Sequence, residues 1–217
     1  KVTNGDLDKI ARLSLSLKSI CDENFLHAIT VKCQYEFSKE YKMIMCVPLA
    51  LVGEQNIIAS CESDIPCMVS MIILNYLSGQ PAAYGDAFNN IGNIVKLSPC
   101  GFAPFSMVDP EKRLIAPQDR FPGFNGINCR NVFKPGRITF MRLVEDCGTY
   151  HIVYGTGQGI ETELRQTCMP ALDVIIDGDV TRLIESFAGQ HYAFCYGDVT
   201  DKVEELAKLL DIATIRI

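Results

Sequence analysis

Apolar positions first recur at helical spacing: Leu7, Ile10, Ala11, Leu13, Leu17 and Ile20 predict an amphipathic helix over about 6–22, with Asp6 or Asn4 as its cap. Phe25 to Lys32 then carries the short apolar run Leu26, Ala28, Ile29 and Val31, the pattern of a buried strand. Met43 to Leu51 reads as a helix over a sheet, and Gly53-Glu54-Gln55-Asn56 as a turn. Ile57 to Cys61 reads as a second buried strand that ends at Glu62-Ser63-Asp64. Pro66 suits a first helical turn, and Cys67 to Leu77, apolar nearly all round, continues it as a buried helix. Helices alternating with buried strands predict a layered α/β segment.

After Ser78-Gly79-Gln80-Pro81 the pattern changes. From Ala82 to about Asp177 short β-like runs are split by Gly, Pro and Asn: Ile94 to Leu97, Arg137 to Leu143, Tyr150 to Tyr154 and Leu172 to Ile176. Such runs with little helical period predict an antiparallel sheet or barrel. The tail reads as a helix over Val180 to Phe187, a strand over His191 to Tyr196, a helix over Asp201 to Leu210 and a last strand over Ala213 to Ile217. The expected architecture is α/β: a partial, Rossmann-like layered domain over 1–79, then an antiparallel β-barrel domain with flanking helices over 80–217.

Composition narrows the classes of function. Of 217 residues, 48% are hydrophobic and 21% charged, a globular balance that excludes an intrinsically disordered chain. A formal net charge of -6 argues against nucleic acid or an anionic membrane as a partner. The apolar run Ile65 to Leu77 is shorter than the roughly 20 residues that span a bilayer. Ten cysteines lie mostly in apolar runs and form no C-x-x-C pair, which points to reduced thiols of a cytoplasmic protein. The chain opens on Lys1 and enters a helical pattern at once, with no secretory leader, as a processed chain or, equally well, a piece of a longer protein would.

Several residues could carry chemistry. Gly155-Thr156-Gly157-Gln158-Gly159 looks like a phosphate loop, but no helical period or Lys-Ser/Thr follows, so a loop between strands is the better reading. Glu62 and Asp64 stand at the carboxyl end of a buried strand, where α/β sheets place ligand-binding groups. A solvated loop acid at Glu62 and a helix cap at Asp64 are the plainer alternatives. Asp86 lies in the polar run Tyr84 to Asn90, where an Asx turn is the alternative. Of three histidines, His27 reads as a core residue and His151 as an outward-facing sheet residue, whereas His191 stands at the mouth of a strand. Two acids and one imidazole suit a hard or borderline divalent cation.

The blocks Cys46-Val47-Pro48-Leu49-Ala50-Leu51, Ala59-Ser60-Cys61-Glu62-Ser63-Asp64-Ile65-Pro66 and Leu77-Ser78-Gly79-Gln80-Pro81, with Asp86 beyond, resemble the L-fucose/L-arabinose isomerase-like sugar isomerases. Ser98-Pro99-Cys100-Gly101-Phe102-Ala103-Pro104, Lys134-Pro135-Gly136-Arg137-Ile138-Thr139 and Gly189-Gln190-His191-Tyr192 follow in the same order as that family's later blocks. The match runs from about Thr30 to the C terminus, and the family's longer N terminus makes this chain resemble its C-terminal part.

By that resemblance, Glu62 and Asp86 match the two catalytic, metal-binding carboxylates and His191 the metal-binding histidine. Lys32, Gln34 and Ser98 fall where sugar contacts are expected. The resemblance implies Mn²⁺, with Mg²⁺ or Co²⁺ as alternatives, a small sugar substrate interconverted between aldose and ketose through an enediol, and a homo-oligomer, trimer or hexamer, of the full-length protein. Two other readings come from different classes: a non-catalytic carbohydrate-binding or regulatory relative of the same fold, and a hydrolase using Cys100 as nucleophile with His191.

Overall fold

The computed structural model describes residues 1–33, 36–100, 102–117, 125–163, 170–186 and 188–217. Through the first half run α1 (Asn4–Glu23), β1 (Ala28–Val31), α2 (Glu36–Tyr41), α3 (Cys46–Gly53), β2 (Ile58–Cys61), α4 (Ile65–Ser78), β3 (Ala82–Ile91) and β4 (Ile94–Ser98). There follow β5 (Ile115–Pro117), β6 (Ile127–Cys129), β7 (Gly136–Asp146), β8 (Thr149–Ile160), β9 (Leu172–Ile176), α5 (Val180–Glu185), β10 (His191–Tyr196), α6 (Thr200–Leu209) and β11 (Ala213–Arg216). The chain alternates between two compact units. One holds Lys1–Asp64, Pro99–Phe133 and Glu163–Ala171; the other holds Ile65–Ser98, Lys134–Thr162 and Leu172–Ile217. The change of texture near residue 79 marks the entry into β3, while α4 groups with the barrel strands it packs on.

In the first unit α1 starts one residue earlier than a cap at Asn4 would place it, and three earlier than a cap at Asp6 would. Thr3 is the N-cap: its Oγ1 accepts the Asp6 N–H at 3.2 Å while the Thr3 N–H donates to Asp6 Oδ2 at 2.9 Å. The Thr-x-x-Asp spacing forms a capping box, which satisfies two orphan donors at once. The helix buries the narrow stripe Ile10, Ser14, Leu17 and Cys21 against α3 and leaves Leu7 and Ile20 nearly half exposed. β1 and β2 pair in parallel from Ala28↔Ile58 to Val31↔Cys61. α3, almost wholly apolar, packs on β2 and β6, and β5 pairs antiparallel with β6. Among the described residues, this unit therefore carries a two-stranded parallel pair with helices. His27, expected in the core, is exposed: it lies in the bend before β1, where its carbonyl accepts the Ile58 N–H.

The second unit is a six-stranded antiparallel barrel in the order β8-β7-β10-β3-β4-β9, closed by β9 pairing back to β8. β11 joins the far end of β8 in parallel. A ring of six strands has a narrow interior, and β8 supplies it with glycine. A Cβ on Gly155 would stand 2.6 Å from Phe140 Cζ, and one on Gly157 2.5 Å from Val174 Cγ1. One on Gly159 would stand 3.1 Å from Leu172 Cδ1. Alternate residues share a face, so Gly155, Gly157 and Gly159 look inward and make room for large side chains opposite. The glycine run is a strand rather than a loop between strands, because its glycines follow the strand period of two. α4 covers β10, β7 and β3 from outside, with Ser70 Oγ accepting the Leu143 N–H at 2.7 Å. No helix among the described residues is long and apolar enough to cross a membrane.

Candidate functional site

His191 is the first residue of β10 and stands directly opposite Asp86 on β3, which in turn stands opposite Ser98 on β4. Residues paired across neighbouring strands project on the same face, so these three form one row across the barrel wall. Gly85 pairs with Tyr192, two residues before Phe194, which pairs with Phe140 opposite Gly155, so Gly85 shares the inward face of the glycine run and Asp86 faces outward. Asp86, His191 and Ser98 are 3%, 5% and 2% exposed. Immediately after Ala87 the register shifts in a β-bulge, the device by which strands re-aim side chains beside functional sites. The Asx turn weighed for Asp86 is not what forms. A strand does, because β10 and β4 supply hydrogen-bond partners on both sides.

The row's polar atoms converge. His191 Nε2 lies 3.2 Å from Asp86 Oδ1, and Gln190 Nε2 donates to the same oxygen. The Gln190 carbonyl accepts the Ala87 N–H at 3.0 Å, so this residue ties β10 to β3 by backbone and side chain together. Asp86 Oδ2 accepts no hydrogen bond from a described residue. The Tyr84 ring meets the imidazole edge-on, with centroids 5.1 Å apart. Gln190 is not among the site residues expected from sequence, although it stands in the block Gly189-Gln190-His191-Tyr192.

Glu62 and Lys32 belong to the first unit. They directly follow Cys61 and Val31, the last residues of the parallel pair, with Lys32 exposed and Glu62 half-buried. Glu62 (φ +67°) and Ser63 (φ +57°) are two successive non-glycine residues in the left-handed region. They are held there by the Glu62 N–H on the Val31 carbonyl at 3.2 Å and the Ser63 N–H on Thr30 Oγ1 at 3.2 Å. Such backbone strain persists where surrounding structure imposes it, and it concentrates at functional positions. Gln34 lies outside the described residues.

A thiol cluster sits behind Glu62 in the same unit. Cys33 and Cys61 Sγ atoms are 3.8 Å apart. Hydrogen bonding with Cys100, then with Cys33, together with burial, pushes the Cys61 thiol well above its usual range. The bond from Cys61 holds Cys33 below its usual value. The described cysteines are all free thiols. In the barrel unit a separate cavity of about 230 Å³ opens between α5 and the inward face of β3, lined by Val95, Val180, Leu183 and Tyr192. It contains neither carboxylate nor imidazole and lies on the opposite face of β3 from Asp86.

A divalent cation can be tested against this donor set. Bonds of about 2.1 Å to an octahedral cation put neighbouring ligand atoms roughly 3.0 Å apart, close to the 3.2 Å between Asp86 Oδ1 and His191 Nε2. One carboxylate and one imidazole, buried side by side, fit two adjacent positions of such a shell. Among the described residues no three His, Cys, Asp or Glu side chains converge on one point, so the barrel unit offers two of the ligands expected from sequence.

No protein-family model matches the sequence. Curated relatives do match. The chain is 24% identical over 227 residues to a sulfoquinovose isomerase of Alkalicoccus urumqiensis, covering 97% of this chain and 49% of that protein. It is 26% identical to the sulfoquinovose isomerase of Priestia aryabhattai and 27% identical to that of a Clostridium species, over 95% and 94% of this chain and 47% of each relative. The chain thus spans about half the length of the curated relatives it matches, and its similarity to these sugar isomerases extends through both compact units.

Proposed function

We propose that this chain is the C-terminal part of a divalent-cation-dependent aldose–ketose isomerase, in which Glu62, Asp86 and His191 bind the cation and the two carboxylates act as its acid–base pair. The observation that carries the reading is the buried Asp86–His191 pair, in register on adjacent strands, in a chain similar along nearly its whole length to sugar isomerases. Mn²⁺ is the proposed cation, ahead of Mg²⁺ and Co²⁺, on the likeness to L-fucose/L-arabinose isomerases. Sulfoquinovose, named in the curated relatives, is the first substrate to assay. A cytoplasmic homo-oligomer is the proposed setting.

The chemistry required is transfer of a proton between C1 and C2 of an open-chain sugar. A divalent cation, when bound, supplies positive charge beside O1 and O2 and makes the C–H easier to ionise. Asp86 Oδ1 accepts from Gln190 and lies beside the buried His191 Nε2, so these two atoms are the proposed ligands and Oδ2 is the oxygen left to carry a proton. Glu62 at its strained strand end is the second carboxylate. One carboxylate, as base, takes the proton from C2, the other, entering protonated, gives a proton to C1, and the hydroxyl proton passes from O2 to O1, so that the two carboxyls end with their protonation states exchanged. His191, fixed at the start of a strand, would orient the cation rather than act as the base.

The test uses the full-length protein that contains this chain. Calorimetry with Mn²⁺ is expected to detect binding that Asp86→Asn and His191→Ala abolish. NMR of sulfoquinovose turnover is expected to show Glu62→Gln slower by about 10²–10⁴-fold, the usual worth of a general base. Near-normal turnover by Glu62→Gln, or Mn²⁺ binding untouched by Asp86→Asn, would overturn the assignment.

A further inference from the structure

We infer that Arg142 on β7 is a positioning residue that holds His191 for the cation; the inference rests on the reading of Asp86 and His191 proposed above. Its neighbour Phe140 looks into the barrel against Gly155, so Arg142, two residues on, points inward as well. It is 9% exposed, a buried cation. Nη1 donates to the His191 carbonyl at 3.0 Å and Nε to the Ala188 carbonyl at 3.1 Å. The two acceptors bracket the turn that delivers His191 to the head of β10.

Gly189 makes this arrangement possible. Its φ of +138° is open to glycine, and a Cβ there would stand 2.8 Å from Arg142 Nε and 2.9 Å from Cζ. The turn is thus wrapped around the guanidinium without space for a side chain between them. The same segment is tied from the other side by the Ala87 N–H on the Gln190 carbonyl. A first strand residue normally frays. Here the peptides on both sides of the His191 Cα are fixed, one by Ala87 and one by Arg142, and this fixes the direction in which the imidazole leaves the backbone. A fork of donors can bridge two carbonyls, whereas an ammonium on a flexible stem serves as a single point charge. Residues that orient ligating histidines typically change cation affinity by about 10–100-fold when replaced.

The experiment compares full-length wild type, Arg142→Lys, Arg142→Met and, as a control on the ligand set, Asp86→Asn, measuring Mn²⁺ affinity by calorimetry and thermal unfolding of the cation-free protein. The expected result is Arg142→Lys folded, with a melting point near that of wild type and Mn²⁺ affinity weaker by about 10–100-fold, and Arg142→Met weaker still. A residue that only fills the barrel would lower the melting point and leave affinity unchanged. If Arg142→Met does not fold, Arg142→Lys decides alone. Affinity of folded Arg142→Lys within threefold of wild type overturns the role of Arg142 while Asp86→Asn still loses binding. Wild type that binds no Mn²⁺, or Asp86→Asn that binds it normally, overturns the ligand assignment itself and the inference with it.

Discussion

Gly157→Ala tests whether the glycine run of β8 lines a closed barrel. The added Cβ would stand 2.5 Å from Val174 Cγ1 and 2.7 Å from the Ile175 carbonyl oxygen. Val174 is fully buried, and the carbonyl belongs to the barrel's own ladder, so neither can move away freely. Overpacking of this kind costs about 1–3 kcal/mol, and the reduced freedom of the unfolded alanine chain offsets roughly 0.4–1 kcal/mol of it. A net loss near 1–2 kcal/mol corresponds to a fall in Tm of about 2–8 °C for a chain of this size. Gly53→Ala is the control: it ends α3, its φ is not left-handed, and the nearest atom to a new Cβ is Phe102 Cζ at 4.0 Å. That variant should gain about 0.4–1 kcal/mol. Calorimetric melting of both variants beside wild type reads the difference. A Tm for Gly157→Ala equal to or above wild type would mean that β8 does not turn this face into a packed interior.

Two further outcomes follow from the titrating groups. Iodoacetamide labelling mapped by mass spectrometry should mark exposed Cys147 first, whereas Cys129 and Cys195, buried and pushed up to about 12 and about 11, should label only on unfolding; equal rates at Cys129 and Cys147 would contradict the packing. Asp198 is held below its ordinary value of 3.8 chiefly by the Thr200 hydroxyl and N–H, and also by Arg137. Its folded pKa lies below its unfolded one, so its contribution is present above 3.8 and lost as pH falls through the folded value. Asp198→Asn should therefore be less stable than wild type near pH 7 and converge with it in acid; a gap that stays constant between pH values of about 6 and 3 would refute the linkage.

What could be read from the chain depended on whether local pattern or distant partners decided the outcome. β9 and β10 form over Leu172–Ile176 and His191–Tyr196, the spans expected from their apolar, β-branched or aromatic runs. β3 was illegible because Gly85, Asp86, Asn89 and Asn90 are poor strand formers, and only pairing with β10 and β4 makes them a strand. The glycines of β8 misled for the opposite reason. They are tolerated in a strand interior where a large side chain across the barrel needs the space, a demand invisible without the partner strand. Asp86 and His191 could be picked out one by one, but 104 positions separate Gln190 from Asp86, and their juxtaposition is a property of register. Arg142 carried no local signal, since the Ala188 and His191 carbonyls it bridges lie 46 and 49 positions away along the chain.

The two regions with candidate chemistry are stabilised by different means, and the difference bears on how each can act. The Asp86–His191 row is set by a closed hydrogen-bonded ring, which has no free edge along which a strand could slip, and by a bulge that ends the register just past Asp86. Slippage by one residue would send Asp86 into the lumen, where Leu97 already occupies the space beside Gly85. The row is therefore suited to rigid ligation. Glu62 instead stands on two successive left-handed residues after a two-stranded pair, secured by a few backbone and hydroxyl hydrogen bonds. Left-handed geometry costs a non-glycine residue on the order of 1–2 kcal/mol, which the bonds to Thr30 and Val31 help to offset at this strand end. A carboxylate that must meet a substrate proton tolerates such a mount better than a cation ligand does, which favours Glu62 as the proposed acid–base group and Asp86 with His191 as the fixed part of the shell.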